Sequence, residues 1–155
     1  MTQRVMIQLL LFTFGLATAT NFVLSILGFE IIFSANDTLS YIICVVLAFT
    51  LLVLKLCMEI IFSRPRSIFF RLLRIALLFG IILDLGAVAC AVVMKIIGKQ
   101  SESGPITVNL IYGTLESAVV SVRIASIALI VLFVAAPLAF SYLLKELLAD
   151  YEAEK

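Results

Sequence analysis

The sequence predicts an all-α integral membrane protein, a four-helix bundle with up-down topology and short connections. The first observation is composition, since 64% of the 155 residues are hydrophobic, 14% are charged and the mean hydropathy is +1.26. Soluble domains are about 45–50% apolar, so a soluble fold of this length would have too little interior for these side chains. The second observation is four apolar stretches long enough to cross a bilayer. Helices are expected because each span must satisfy its own backbone groups in lipid.

The first two helices are bounded by polar turns. A helix needs about 20 apolar residues to cross a hydrocarbon core of about 30 Å. The first predicted helix covers residues 5–33 and is followed by the turn-forming sequence Ser-Ala-Asn-Asp at 34–37. The second covers residues 39–62 and is followed by Ser-Arg-Pro-Arg at 63–66.

The amino end also has features of a signal peptide, because Arg4 is followed by an apolar run and by the small residues 17–19. Against cleavage, the apolar run continues without a polar break to Phe33. We therefore expect an uncleaved first helix.

The third predicted helix covers residues 68–97, and the fourth apolar region covers 106–148. The fourth region is too long for one crossing, so its membrane part is placed at about 115–140. Pro137 is expected to kink it, since proline removes a backbone donor. The amphipathic extension 141–152 is expected to leave the membrane as a helix. Together the four helices are expected to form a single transmembrane domain over the whole chain.

Positive charge predicts the orientation. The second connection and the start of the third helix carry four arginines, whereas the first connection carries no lysine or arginine. Both termini and this connection are therefore expected in the cytoplasm, in a bacterial-type inner or plasma membrane. Because they lie at the level of lipid phosphates, the four are expected to contact headgroups: Arg64, Arg66, Arg71 and Arg74.

In outline, the short-looped helices, the arginine-rich connection and the ending Leu-Leu-Lys-Glu-Leu-Leu-Ala-Asp at 143–150 resemble small four-helix bacterial membrane proteins. The resemblance covers topology and a Leu/Lys/Glu pattern only. It implies no role for any residue.

Two of the ionisable residues inside the predicted membrane spans matter most, Asp84 and Arg123. Each costs about 2.5–3.5 kcal/mol on insertion scales, which makes such residues the first candidates for function. From the predicted helix ends, Arg123 lies about 12 Å deep and Asp84 about 16–20 Å deep on the same side. We therefore expect an Asp84–Arg123 ion pair. Three alternatives stay open: the pair sets helix register, it belongs to an ion or proton pathway, or the two residues never meet and Arg123 serves a partner subunit.

Small and polar residues mark the helix faces expected to pack. Asp84 belongs to a stripe at helical spacing that allows close approach of a neighbouring backbone: Gly80, Asp84, Ala87 and Ala91. On the first helix, Asn21 and Ser25 are expected to pack or to line a cavity, on a face with Thr18 and Gly28.

The fourth helix carries two faces unsuited to lipid. One is a small-residue stripe of Gly113, Ser117, Ser121 and Ala125, and the other carries Glu116 and Arg123. The two faces lie about 150° apart. We therefore expect this helix to be covered on two sides, within the bundle or by another subunit.

Lys55 and Glu59 lie four residues apart near the predicted cytoplasmic boundary. A lysine at this depth can extend its ammonium group toward the headgroups. We expect Lys55 to do so and to pair with Glu59 on the same helix.

No motif points to catalysis. The chain has no histidine, and Cys44, Cys57 and Cys90 are isolated, so neither a metal site nor a redox pair is expected. No phosphate-binding glycine loop, nucleophile elbow or zinc-protease motif is present. The net charge of +1 gives no field that would recruit nucleic acid. We expect no enzyme activity, cofactor or nucleic-acid partner.

These patterns predict a non-catalytic multi-pass membrane protein that acts as a homo-oligomer or as an accessory subunit of a membrane complex. The alternative is a small ion or solute channel or transporter that uses Asp84 and Arg123. A third hypothesis is a membrane-anchored regulator that holds a cytoplasmic partner through residues 141–155.

Overall fold

The computed structural model describes residues 3–63, 67–96, 113, 115, 116, 118 and 120–153. These residues form five helices and no strand: α1 (Gln3–Phe33), α2 (Thr38–Leu56), α3 (Met58–Ser63), α4 (Ile68–Ile96) and α5 (Val120–Ala153). Four of them, α1, α2, α4 and α5, are long and apolar enough to cross a membrane. The predicted helical bundle is therefore confirmed. Arg64, Arg66 and the lead-in at 106–112 lie outside the described residues.

The turn between α1 and α2 follows the predicted polar sequence. Ser34 adopts a left-handed backbone conformation with φ of 49°, and the Ala35 amide donates to the Glu30 carbonyl at 3.0 Å. Asp37 caps α2 by accepting a hydrogen bond from the Ser40 amide at 3.2 Å. Hydrogen bonds from Ser40 lower the pKa of the Asp37 carboxyl.

The predicted helix at 39–62 is not continuous, because the chain turns at Cys57 between α2 and α3. The Ser141 hydroxyl of α5 donates to the Leu56 carbonyl at 2.7 Å, directly before this turn. A side chain that bonds into the backbone ladder is one of the recognised causes of a helix break. By contrast, α5 continues through Pro137 to Ala153. The predicted amphipathic extension is therefore helical.

The bundle packs around α1, which contacts α2, α4 and α5. The helices α1 and α4 approach closely at Gly28, where an added Cβ atom would lie only 1.9 Å from the Ala87 carbonyl oxygen. Beside this crossing lies a buried apolar cluster of Phe29, Cys44, Ala48, Leu51 and Ala87. A second cluster joins α4 to α5 and contains Val88, Val92, Ile130 and Val134.

Many large apolar side chains point away from the bundle. Phe12 is 73% exposed and Ile68 is 76% exposed, and similar residues occur along every long helix. Soluble monomers rarely expose continuous apolar surface of this kind, whereas a membrane-spanning bundle presents it to lipid.

Candidate functional site: a buried polar cluster

A group of four polar side chains lies inside the bundle where α1, α2 and α4 meet. We call it the polar cluster, and it consists of Asn21, Ser25, Lys55 and Asp84. Each residue is only 1% exposed. The polar cluster joins the three helices through the carboxylate of Asp84.

Asp84 is the acceptor at the centre of this cluster. Its Oδ2 atom accepts hydrogen bonds from Asn21 Nδ2 at 3.0 Å and from Lys55 Nζ, which is also its ion-pair partner. Its Oδ1 atom is within hydrogen-bond reach of the Ser25 hydroxyl. Lys55 Nζ also donates to Asn21 Oδ1 at 3.2 Å. The positive and the negative charge thus share Asn21 as a neutral hydrogen-bonding partner.

The Ser25 hydroxyl has a second acceptor within reach. Its Oγ atom lies 2.8 Å from the Asn21 carbonyl oxygen, one turn back on α1. A serine hydroxyl carries a single proton, so it donates to Asp84 or to this carbonyl at one time. This hydroxyl is therefore the donor in the cluster that can rotate away from Asp84 and still be satisfied.

Helix direction explains why Lys55 and Asp84 meet. Contacts of α4 with α2 and α3 run in opposite order along the chain: Arg74 donates to the Ile61 carbonyl, whereas a Cβ atom at Gly80 would meet Leu51. Side chains of a helix lean toward its amino terminus. On helices that pass in opposite directions, Lys55 and Asp84 therefore lean toward each other.

The expected ion pair between Asp84 and Arg123 is corrected by this arrangement, because Lys55 holds the position expected of Arg123. The reason is that the two residues lie at different depths along their helices. A bend at Ala118 precedes α5, so Arg123 lies only about 5 Å into that helix, whereas Asp84 lies about 18 Å from the end of α4 at Ile96. The Arg123 guanidinium instead donates back to the carbonyls of Glu116 and Ala118.

The expected pair between Lys55 and Glu59 is also corrected. Lys55 is buried rather than extended toward the headgroups, and Glu59 pairs with Lys145 of α5 at 2.8 Å. An acidic residue placed four positions after a lysine is the less favourable order on a helix. The lean of Lys55 toward the amino end of α2 takes it away from Glu59.

Within the described part of the chain, the small-residue stripe of the fourth helix is not covered, and on its other face Arg123 is half-buried. Ser121, Ala125, Gly113 and Glu116 are exposed, whereas the Ser117 side chain lies outside the described residues. α5 instead packs inward through a different set of residues: Ser126, Ile130, Val134 and Ser141. Among described residues, Arg123 Nε and Ser126 Oγ are buried atoms without a hydrogen-bond partner.

Two of the four predicted headgroup residues belong to the described chain. Arg71 is exposed on the first turn of α4. Arg74 donates to the carbonyls of Ile61 and Phe62 at 3.3 and 3.4 Å, and its guanidinium lies 5.4 Å from the centre of the Phe62 ring.

Lys55 is the cluster member that sequence reasoning placed elsewhere. Two features indicate that Lys55 lies deeper than the headgroups. It stands eight residues before the end of α3, about 12 Å along the helix, and its side chain leans toward the amino terminus of α2. The cluster is internally neutral and its charged atoms are paired, which suits it to fixing the register of three helices. The described residues contain no group of three or more histidine, cysteine or acidic side chains that could hold a metal ion.

The chain matches no protein-family model, no curated protein and no solved structure. The polar cluster, the exposed helix faces and the distribution of charge are therefore the observations on which a function can be argued.

Proposed function

We propose that the protein is a non-catalytic multi-pass membrane protein that acts by association, as a homo-oligomer or as an accessory subunit of a membrane complex. In this proposal the helices form an up-down bundle in a bacterial-type inner or plasma membrane. Both termini and the arginine-rich connection lie in the cytoplasm, as the bias of lysine and arginine favours.

The observation that carries this proposal is one exposed side of α5. Five of its residues follow alternating spacings of four and three, and four of the five are small: Ser121, Ala125, Ala128, Leu132 and Ala135. All five are exposed. We call this set the small-residue face of α5, and it extends about 21 Å along the helix.

Small residues give lipid chains little to pack against, but they let two helix backbones approach closely. The spacing of four and three residues is the spacing by which two helices pack at about 20°. A second transmembrane helix therefore fits this face better than lipid does, and a second copy of α5 carries the matching surface.

Cysteine crosslinking tests the association. Ala128→Cys, introduced together with Cys57→Ser, is expected to form covalent dimers in membranes under mild oxidation, because the two copies of residue 128 would face each other. The matched control is Ile82→Cys, on the 64% exposed side chain of α4, which is expected to stay monomeric.

The substitution Ala128→Leu is expected to weaken association about tenfold or more, because the larger side chain separates the two helices. Native mass spectrometry in mild detergent measures the loss. Crosslinking of Ala128→Cys to a different membrane protein would indicate the accessory-subunit form of the proposal. A strict monomer without any co-purifying protein would contradict both forms.

A channel or transporter is the second candidate, and it now depends on Lys55 and Asp84 in place of Asp84 and Arg123. The supporting observation is the presence of two ionisable residues deep inside an apolar bundle, which is expensive and often functional. Against it, both residues are 1% exposed and paired.

Liposome flux separates the two candidates. Our proposal predicts background-level ion and proton flux for the wild type and for Asp84→Asn alike, because the polar cluster holds helices together and conducts nothing. Flux in the wild type that disappears in Asp84→Asn, with the variant still folded and inserted, would favour transport.

A further inference from the structure

An apolar groove lies between α2–α3 and α4, near the first turns of α4. Its volume is about 470 Å³, and it is lined by Phe49, Thr50, Val53, Leu54, Cys57, Ile60, Ile61, Phe70 and Leu73. We infer that this groove binds an acyl chain of an anionic phospholipid whose phosphate contacts the exposed Arg71.

The lining of the groove selects an apolar occupant. Apart from Thr50 and Cys57, its side chains are hydrocarbon, and the Thr50 hydroxyl donates to the Val46 carbonyl at 2.8 Å. The groove therefore offers no unsatisfied hydroxyl to a polar ligand. From Phe49 to Ile61 it follows about 18 Å of helix, which compares with a depth of about 15 Å for one leaflet of the hydrocarbon core.

Positive charge lies at one end of this groove. Arg74 is held there by the carbonyls of Ile61 and Phe62, so its guanidinium stays beside the groove end. Arg71 follows the lining residue Phe70, is exposed, and has no described side chain paired with its guanidinium.

The nearby acidic residue of α3, Glu59, pairs with Lys145 of α5. An acyl chain in the groove would place its headgroup beside the first turn of α4, which carries Arg71. Guanidinium groups bind phosphate well, and each basic residue near a membrane surface favours anionic over neutral lipid. The occupant is therefore an anionic phospholipid rather than a neutral one.

The inference rests on the proposed membrane insertion and is independent of oligomeric state. The chain has no tryptophan, so one introduced tryptophan is a unique fluorophore. Phe70→Trp places it in the groove, and Phe79→Trp, on a 65% exposed side chain of α4 outside the groove, is the control. The probes are vesicles that contain an equal mole fraction of either brominated phosphatidylglycerol or brominated phosphatidylcholine.

We expect brominated phosphatidylglycerol to associate with the Phe70→Trp site about fivefold more strongly than brominated phosphatidylcholine, with no such preference at Phe79→Trp. Adding Arg71→Gln is expected to remove most of the preference. Equal quenching by both lipids at the Phe70 position, in protein that is inserted and helical, would overturn the inference and leave the proposed association intact.

A second measurement requires no tryptophan. In native mass spectra of wild-type protein, we expect retained phosphatidylglycerol that free inorganic phosphate does not displace and that Arg71→Gln reduces. Wild-type spectra without retained lipid, or retention unchanged by Arg71→Gln, would also overturn the inference. Membranes that fail to retain the protein after an alkaline wash would instead contradict the proposed insertion.

Discussion

Replacing Lys55 with methionine is expected to destabilise the bundle by about 3–5 kcal/mol. The substitution keeps a long flexible side chain but removes the ammonium group that pairs with Asp84. It leaves a carboxylate at 1% exposure with only the neutral donors Asn21 and Ser25. The free energy of unfolding in detergent micelles, followed by the loss of helical circular dichroism during denaturant titration, measures the effect.

Two comparisons make this prediction specific. The double variant Lys55→Met/Asp84→Leu is expected to be more stable than Lys55→Met alone, because it removes the unpaired charge together with its partner. The same substitution at the exposed pair, Lys145→Met, is expected to cost less than about 1 kcal/mol, since Lys145 is 61% exposed and screened. A Lys55→Met variant no less stable than Lys145→Met would contradict the account.

Replacing Gly28 with alanine is expected to destabilise the bundle by about 3 kcal/mol or more. An added Cβ atom would lie 1.9 Å from the Ala87 carbonyl oxygen and 2.7 Å from the Ala87 Cα atom. Because these are backbone atoms, α1 and α4 must separate to make room. The separation would also move Ser25, one turn away on α1, from Asp84. Unfolding in detergent micelles measures the loss.

Gly86 is the matched control for this substitution, since it belongs to α4 and lies beside Ala87 in the sequence. A Cβ atom added at Gly86 meets nothing within 4 Å. Gly86→Ala is therefore expected to be neutral, or to stabilise the helix by up to about 1 kcal/mol because alanine is the better helix former. Equal destabilisation by the two substitutions would show that the Gly28 contact is not the tight crossing described here.

Composition and hydropathy were sufficient to predict the long helices, because the chain divides into a few long apolar segments separated by polar connections. The predicted first helix at 5–33 agrees with α1 to within two residues at its start. The break at Cys57 was not predictable in the same way. It involves a hydrogen bond between Ser141 and Leu56, residues far apart in sequence that only the folded bundle brings together.

The candidate site was predictable in part. Small-residue spacing indicated that the face of α1 with Asn21 and Ser25, and the face of α4 with Asp84, would be unsuited to lipid. The partner of Asp84 was not predictable from depth alone, because the prediction depended on where the fourth helix begins. Its start at Val120 rather than near residue 115 moves Arg123 toward the helix end and out of reach of Asp84.

The position of Lys55 was also predicted wrongly from the sequence. Counted from the polar connection, it looked like a residue near the membrane boundary, where lysine usually extends toward headgroups. The direction in which a helical side chain leans, and the opposite course of α2 and α4, decide otherwise. Side-chain lean and depth together point from Lys55 toward Asp84 as its partner.

The central claim is that Asp84 is coupled to Lys55 and not to Arg123, and two double-mutant cycles measured side by side test it most directly. One cycle uses Lys55→Met and Asp84→Leu, and the other uses Arg123→Leu and Asp84→Leu. The account predicts a coupling free energy of about 1–3 kcal/mol in the first cycle and additivity within about 0.5 kcal/mol in the second. Strong coupling between Arg123 and Asp84, with Lys55 and Asp84 additive, would contradict it.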